Sequence, residues 1–240
     1  MYIKNKVTII IPCFNEEEYI SQTITSIVKQ KNINGTKIII ADNNSTDKTR
    51  EIILHCKEIY KDIVNIELID GGTVSVGRNN GSKLSTTKYI LFLDADSTLI
   101  DNDIIDVTLF NAQHYHLDLL TAEIHSTGKD LRSKLIFGIF NIMNRLLSLS
   151  KPFAIGGYFF TKTDKFNEFG NFDETLSNSE DFWLSKKYDS KKFKIVKKKY
   201  GQDDRRFKKM GYFKMMKIVF KNFLHREDIE YFKKDIGYWD

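Results

Sequence analysis

Three apolar runs in the first hundred residues each end in side chains that can bind charge. "VTIIIP" leads into "CFNEE", "TKIIIAD" into "NNSTD", and "YILFLDADSTL" carries Asp94 and Asp96 with only Ala95 between them. Two carboxylates one residue apart at a strand end can reach one cation. Hard oxygen donors with no neighbouring His or Cys suit Mg²⁺ or Mn²⁺, ions that join carboxylates to substrate phosphates. Alone, such a pair is also an ordinary polar turn.

Its company adds to it. Asp42 ends the second run and can accept from a nucleobase N–H, while Ser45 or Asp47 is expected to cap the helix that follows. Pro12 supplies a rigid turn, Phe14 a ring to pack on a base or ribose, and Asn15 and Glu16 further acceptors. "GRNNGS" places Arg78 beside an expected helix start, where a guanidinium can meet phosphate. Further on, "SEDFW" sets Glu180 and Asp181 at the start of a helix. There they either cap it or serve as a base, with Phe182 and Trp183 beside them to stack on a sugar or fill a core.

These groups need a frame, and the patterning provides one. Continuous β-branched runs read as strands buried on both faces. Between them lie helical patterns: residues 15–30, with Asn15 and Glu18 as a capping box, residues 45–60, and a glycine-punctuated stretch through Gly77 and Gly81. Alternating strands and helices imply right-handed crossovers and a mostly parallel sheet, whose ligands collect at the carboxyl ends of the strands. The fold expected is one α/β domain of Rossmann-like type. Beyond residue 100 the expected elements are a helix near 101–116, strands 118–124 and 157–162, an amphipathic helix over 131–150, a helix from Asp181, a strand over 193–199, and a last long helix from Arg205.

The bulk numbers agree. A chain of 240 residues, 41% hydrophobic, can bury one sizeable core. With 18 Phe and 11 Tyr it is not a disordered composition. Two cysteines in no metal-ligand spacing make neither a disulfide framework nor a zinc site and point to a reducing compartment. The apolar part of "MYIKNKVTIIIP" is too short for a signal peptide, and the interrupted stretch 131–150 is not expected to span a membrane. The net charge of +5 is concentrated in 186–221, which implies an anionic partner. Within 205–226, Phe213, Met216, Phe220, Phe223 and Leu224 share one helical stripe beside Lys214, Lys217 and Lys221. That is the pattern of a basic helix packed on the domain or lying on an anionic membrane. No nucleic-acid fingerprint is present.

Taken in order, "VTIIIPCFNEEEYI", "IIIADNNSTDKT", "GRNNGSKLSTTKYILFLDADSTL", "GNFDETLSNSEDFWLSKK" and "RRFKKMG" resemble the family 2 glycosyltransferases, inverting enzymes with the A-type fold. The likeness covers about residues 5–212 and is strongest over 7–98. It implies an A-type domain over 1–204, with a nucleotide-binding half (1–98), an acceptor half (99–204) and a basic helical segment over 205–240. It also implies a nucleotide-sugar donor, most often uridine-linked. Pro12, Phe14, Asn15, Glu16 and Asp42 would line the nucleoside pocket, and Arg78 would approach the base or diphosphate. Asp94 would approach the ribose, with Ala95 between the carboxylates, and Asp96, with Asp94, would hold Mn²⁺ or Mg²⁺. Asp181 would be the catalytic base, with Glu180 and Trp183 on the acceptor side. Such a base favours a hydroxyl acceptor on a glycan or lipid-linked glycan over a polyprenyl phosphate, which is already anionic.

One departure stands out. Where many relatives carry a further metal-ligating histidine, this chain has "GQDDRR", with Gln202, Asp203 and Asp204; His225 is a remote substitute. The expected setting is cytoplasmic, with peripheral contact at the membrane face through 205–226. The alternatives are a polyprenyl-phosphate glycosyltransferase and a non-catalytic nucleotide-sugar-binding relic. A sugar-nucleotide pyrophosphorylase is disfavoured because "PCFNEEEY" is not a glycine-rich phosphate loop.

Overall fold

The β-branched run at the N-terminus becomes β1 (Val7–Cys13), buried at every position. Such a strand needs neighbours on both edges and layers on both faces. In the computed structural model, which describes residues 3–234, it lies between β2 (Thr36–Asp42) and β4 (Tyr89–Phe92) and is parallel to both. β3 (Val64–Asp70) pairs parallel outside β2. Helices α1 (Ile20–Val28), α2 (Thr49–Tyr60) and α3 (Val74–Lys83) make the crossovers.

The chain therefore builds outward from β1 to β3 and returns to the other side of β1 with β4. Where strand order reverses, the crossovers diverge and leave a crevice beyond the carboxyl ends. The tips of β1 and β4 carry Cys13–Glu16 and Asp94–Asp96 into it.

The second half completes one eight-stranded sheet in the order β3-β2-β1-β4-β7-β6-β8-β5. β7 (Phe159–Lys162) runs antiparallel between β4 and β6 (Leu119–Ser126). β8 (Phe193–Gln202) is parallel to β6, and the short β5 (Ser97–Leu99) is antiparallel to β8. Four of the seven pairings are parallel, as the alternating pattern requires. α4 (Ile104–His114), α5 (Leu131–Leu147), α6 (Thr163–Glu168) and α7 (Glu180–Ser185) connect them. A core of β-sheet aliphatics lies on one face, and an aromatic cluster around Phe92, Phe159, Phe166 and Phe172 on the other.

The glycines of α3 allow it to sit close to the sheet. A Cβ on Gly81 would lie 2.5 Å from Ile10 Cγ2, and one on Gly77 would lie 3.4 Å from the Cβ atoms of Pro12 and Ala41.

Three local expectations are corrected. Asn15 does not cap α1: it adopts φ 52°, and its side chain accepts from Thr46 N at 2.8 Å, so the helix starts four residues past Glu16 without a side-chain cap. Arg78 is not at a helix start but in the interior of α3. The single helix expected from Arg205 is broken at Gly211, whose φ of 84° ends α8 (Arg205–Met210) before α9 (Tyr212–Leu224) begins. A short α10 (Ile229–Lys233) follows. Among the described residues no helix is long and apolar enough to cross a membrane. Residues 235–240 of the expected basic segment lie outside the described residues.

Candidate active site

At the tip of β2, Asp42 is fully buried and organises its own loop. Ser45 Oγ donates to its Oδ1 at 2.5 Å, and Arg50 Nη1 donates to Oδ2 at 2.7 Å. The same Ser45 Oγ accepts from Asn15 N at 2.8 Å, which ties the loops after β1 and β2 together. Neither Ser45 nor Asp47 is the N-cap of α2, which is Lys48: Asp47 accepts from Thr49 N at 2.9 Å from one position earlier, and Ser45 is left to Asp42. Phe14 stays exposed at the lip of the crevice, and Pro12 is buried under α3.

Glu16 turns inward, its backbone N donating to Thr49 Oγ1 at 2.7 Å. Its Oε1 accepts from Arg205 Nη2, while its Oε2 is buried without a hydrogen-bond partner among the described residues. Burial lifts this carboxyl to about 7 despite the Arg205 bond, with Asp96 and Asp94 adding to the shift. Arg205 Nη2 also lies 3.3 Å from Asp96 Oδ2, and Gln202 Nε2 donates to Asp96 Oδ1 at 3.4 Å. Burial first, and Asp94 second, raise the Asp96 carboxyl. Ala95 fixes the turn between the two aspartates, because its carbonyl accepts from Thr23 Oγ1 at 2.6 Å.

Arg78 joins the two halves of the molecule. Its guanidinium is 2% exposed, with Nη2 2.7 Å from Asp94 Oδ1 and Nη1 2.5 Å from Glu180 Oε1. Burial alone would lower its pKa, but Asp94 and Glu180 outweigh that and hold it charged. It also lies 5.0 Å over the Phe172 ring. Gly156 leaves the room it needs, since a Cβ there would fall 2.5 Å from Arg78 Nη2. Both of the amino groups of Arg78 are thus committed to carboxylates.

Asp181 follows Glu180 at the start of α7, after Ser179 in the left-handed region at φ 61°. Its Oδ2 accepts from Gly156 N at 2.6 Å and its Oδ1 from Phe182 N at 2.7 Å. Burial, and then Glu180, push it up from 3.8 to about 7, against the opposing pull of Arg78 and the two N–H donors. Beneath the rim, burial and the charges of Asp94, Asp181 and Asp96 all raise the Tyr200 hydroxyl, which has no hydrogen-bond partner among the described residues.

The sequence-expected groups therefore form one connected chain. It runs from Asp42 through Ser45 to Asn15, from Glu16 through Arg205 to Asp96, and from Asp94 through Arg78 to Glu180 and Asp181. Trp183 lies one step outward, 6.0 Å from the Phe232 ring with Lys186 Nζ 4.1 Å above it. His225 is stacked on Tyr231 at 4.2 Å. Asp203 accepts from Arg205 N at 2.6 Å, and Asp204 is buried on Ser133 Oγ at 2.6 Å. Arg205 and Gly156 were not singled out from sequence, and Gln202 was noted only as standing in place of a metal-ligating histidine. "RRFKKMG" marked the segment of Arg205 but not its contact with a residue 189 positions earlier.

Residues 8–170 match the family model described as Glycosyl transferase family 2. The chain belongs to that family. It is 29% identical over 149 residues to the Staphylococcus aureus poly(ribitol-phosphate) beta-N-acetylglucosaminyltransferase TarP, covering 61% of this chain and 40% of the relative. It is 30% identical over 128 residues to the glycosyltransferase GlyA of Streptococcus pneumoniae, covering 52% and 18%. The chain thus spans less than half the length of either relative. In fold it is similar to S. aureus TarS residues 1–349 in complex with UDP-GlcNAc, with a TM-score of 0.63 at 20% identity over 82% of this chain and 58% of that one. It is similar also to the mannosyltransferase PcManGT from Pyrobaculum calidifontis in complex with GDP-Man and Mn²⁺, with a TM-score of 0.67 at 16% identity over 83% and 57%. These likenesses fix the A-type glycosyltransferase fold.

Proposed function

We propose that the chain is an inverting, divalent-metal-dependent glycosyltransferase. It takes a nucleotide-sugar, UDP-linked by preference, and transfers the sugar to a hydroxyl of a glycan or lipid-linked glycan at the cytoplasmic side of a membrane. The observation that carries this is the rim network. A carboxylate poised near neutrality, Asp181, is tied through Glu180, Arg78 and Asp94 to the acidic turn at the reversal of strand order. UDP-GlcNAc in the complex of the similar TarS fold, and the N-acetylglucosaminyl donor named for TarP, support the uridine-linked choice.

A metal fits the residues present. No three His, Cys, Asp or Glu among the described residues are grouped to hold an ion by themselves. Mg²⁺ and Mn²⁺ nevertheless need only one or two carboxylates when substrate phosphates complete the shell. Asp96 and Asp94 would provide those, and Glu16, whose buried Oε2 has no partner among the described residues, adds its charge to theirs nearby. A divalent cation so held supplies neutralisation of the charge on the departing diphosphate. PcManGT, with Mn²⁺ in its complex, supports the same choice.

The protein's own groups do the rest. Deprotonated Asp181 takes the acceptor hydroxyl's proton as that oxygen forms the new bond to the anomeric carbon. The bond from that carbon to the diphosphate oxygen breaks, its electron pair leaves with the diphosphate, and back-side attack inverts the centre. The N–H groups of Gly156 and Phe182 orient both oxygens of the base. Phe14 is exposed at the lip, where it can cover a base, and the bound Arg205 can turn from Glu16 to the diphosphate.

The test is turnover of UDP-sugars with Mn²⁺ in Asp181→Ala. Transfer should fall about 10²–10⁴-fold, the usual contribution of a positioned base, with UDP affinity retained. Unchanged turnover would refute the assigned base.

A further inference from the structure

α5 is apolar on both of its sides. Its sheet-facing side buries Phe137 in the core, with Phe140 packed beside it, and also carries Ser133, Asn141, Asn144 and Ser148, which are satisfied. Asn141 exchanges hydrogen bonds with the backbone of Ile124 at 2.7 and 3.0 Å, and Ser148 Oγ donates to Asn144 Oδ1 at 3.0 Å. Its outward side carries Leu131, Leu135, Ile139, Ile142 and Leu146, spaced three and four residues apart and 45–77% exposed. A helix that only roofs a core buries its apolar stripe and solvates its polar one. Here a second apolar stripe is left in solvent.

α9 extends the same surface. Met215 and Ile218 face inward, while Phe213, Met216, Phe220 and Leu224 are exposed, Phe213 by 85%. Of the stripe expected on this helix, Phe223 is half-buried and the other four residues do not pack on the domain. The two helices run side by side in the same sense. At one end Tyr212 Oη meets Ser133 Oγ at 2.7 Å and Asp130 Oδ2 at 2.9 Å; at the other, Lys151 Nζ meets Glu227 at 2.9 Å. At 1.5 Å per residue they are about 25 and 20 Å long, a platform rather than scattered exposed residues.

The free charge on this platform is basic. Residues 131–151 and 212–226 hold eight Lys and Arg and no Asp or Glu, of which Arg132, Arg145 and Lys151 pair with the bordering Asp130, Glu123 and Glu227. Exposed Lys134, Lys214, Lys217 and Lys221 fringe the apolar stripes. A second copy docked face to face would set lysines against lysines. A soluble polyanion would satisfy the lysines and leave the leucines and phenylalanines in water. An anionic bilayer surface satisfies both, apolar side chains entering the headgroup boundary and lysines meeting the headgroups.

We propose that α5 and α9 together form a docking face for an anionic phospholipid bilayer. The inward side of α5 is linked to the proposed base through aromatic rings: Phe140 lies 6.1 Å from Phe153, which lies 5.4 Å from Phe182, next to Asp181. This use of the face rests on the glycosyltransferase proposal and on a lipid-linked acceptor, which the bilayer would present beside Asp181. Bilayer binding itself is measured without any transfer reaction.

The experiment is co-sedimentation of the full chain with vesicles of phosphatidylcholine alone and of phosphatidylcholine with phosphatidylglycerol at 3:1. Binding is expected to the anionic vesicles, weakened at 0.5 M NaCl. Leu135→Asp with Phe220→Asp should lower partitioning at least tenfold, with thermal unfolding and UDP binding unchanged, since both positions are solvent-facing. Lys214→Gln, Lys217→Gln and Lys221→Gln should each lower it about fivefold on anionic vesicles, from the usual contribution of a basic residue near such a surface. The proposal is overturned by a wild-type chain that stays in the supernatant with both vesicles, or by apolar-to-Asp variants that bind like wild type. It is overturned equally by a dimer in sedimentation velocity that the same pair abolishes, or by polyphosphate binding as tightly as vesicles. Failure of the enzyme proposal would show separately, as no turnover of soluble donor by a chain that still binds vesicles.

Discussion

Replacing Arg78 by methionine keeps an unbranched apolar stem but leaves two carboxylates facing the space of a lost cation. The guanidinium is 2% exposed, and its partners Asp94 and Glu180 are 27% and 8% exposed. Breaking a buried ion pair from one side costs roughly 3–5 kcal/mol, because the remaining charge is left desolvated and unpaired. For a chain of this size each kcal/mol moves the midpoint by about 2–4 °C, so Arg78→Met should melt about 10 °C lower. The assay is reversible urea unfolding followed by tryptophan fluorescence, with thermal melts alongside. The double variant Arg78→Met/Glu180→Gln should be more stable than the single one by about 1–2 kcal/mol, since it removes the stranded charge. A loss under about 1 kcal/mol in the single variant, or a double variant no better than it, would refute the claim that Arg78 clamps the two halves of the site.

Three further outcomes follow from the same coordinates. Asp181 works only when ionised and is held near 7, so kcat/KM should rise with pH through about 7, a limb that Asp181→Asn should lack. Its stability contribution runs the other way: with the folded value above the ordinary 3.8, stability is full below about pH 4 and is lost as pH rises through 7. Gly81→Ala places a methyl 2.5 Å from the fully buried Ile10 and should cost about 1–3 kcal/mol of unfolding free energy, with nucleotide binding weakened as α3 lifts.

The rim was legible because strand ends are. Apolar β-branched runs fix β1, β2 and β4, and parallel topology sends their carboxyl tips to one edge, so Asp42, Asp94 and Asp96 could be placed together without coordinates. The partners of those groups could not. Arg205 and Gln202 reach the rim from distant segments, and no local spacing encodes a pairing across more than a hundred residues. Arg78 was expected beside a helix start, free to meet phosphate; the closeness of α3 to the sheet, which Gly77 and Gly81 permit, buries it instead. Periodicity showed that 131–150 and 205–226 carry apolar stripes but not which side faces inward, because a 3.6-residue repeat does not distinguish a core from an external partner. The break at Gly211 had a visible signal, a glycine between two good helical stretches.

The central claim is that acidic strand tips converge to hold a cation and the diphosphate it shields. Calorimetric titration of UDP, GDP, dTDP and CDP into the wild-type chain and into Asp96→Asn, each with and without Mn²⁺, tests it most directly. One of the four, UDP by preference, should bind wild type at least tenfold tighter with Mn²⁺, and Asp96→Asn should lose that gain while staying folded. No nucleotide binding at millimolar Mn²⁺, or an identical Mn²⁺ gain in Asp96→Asn, would contradict it.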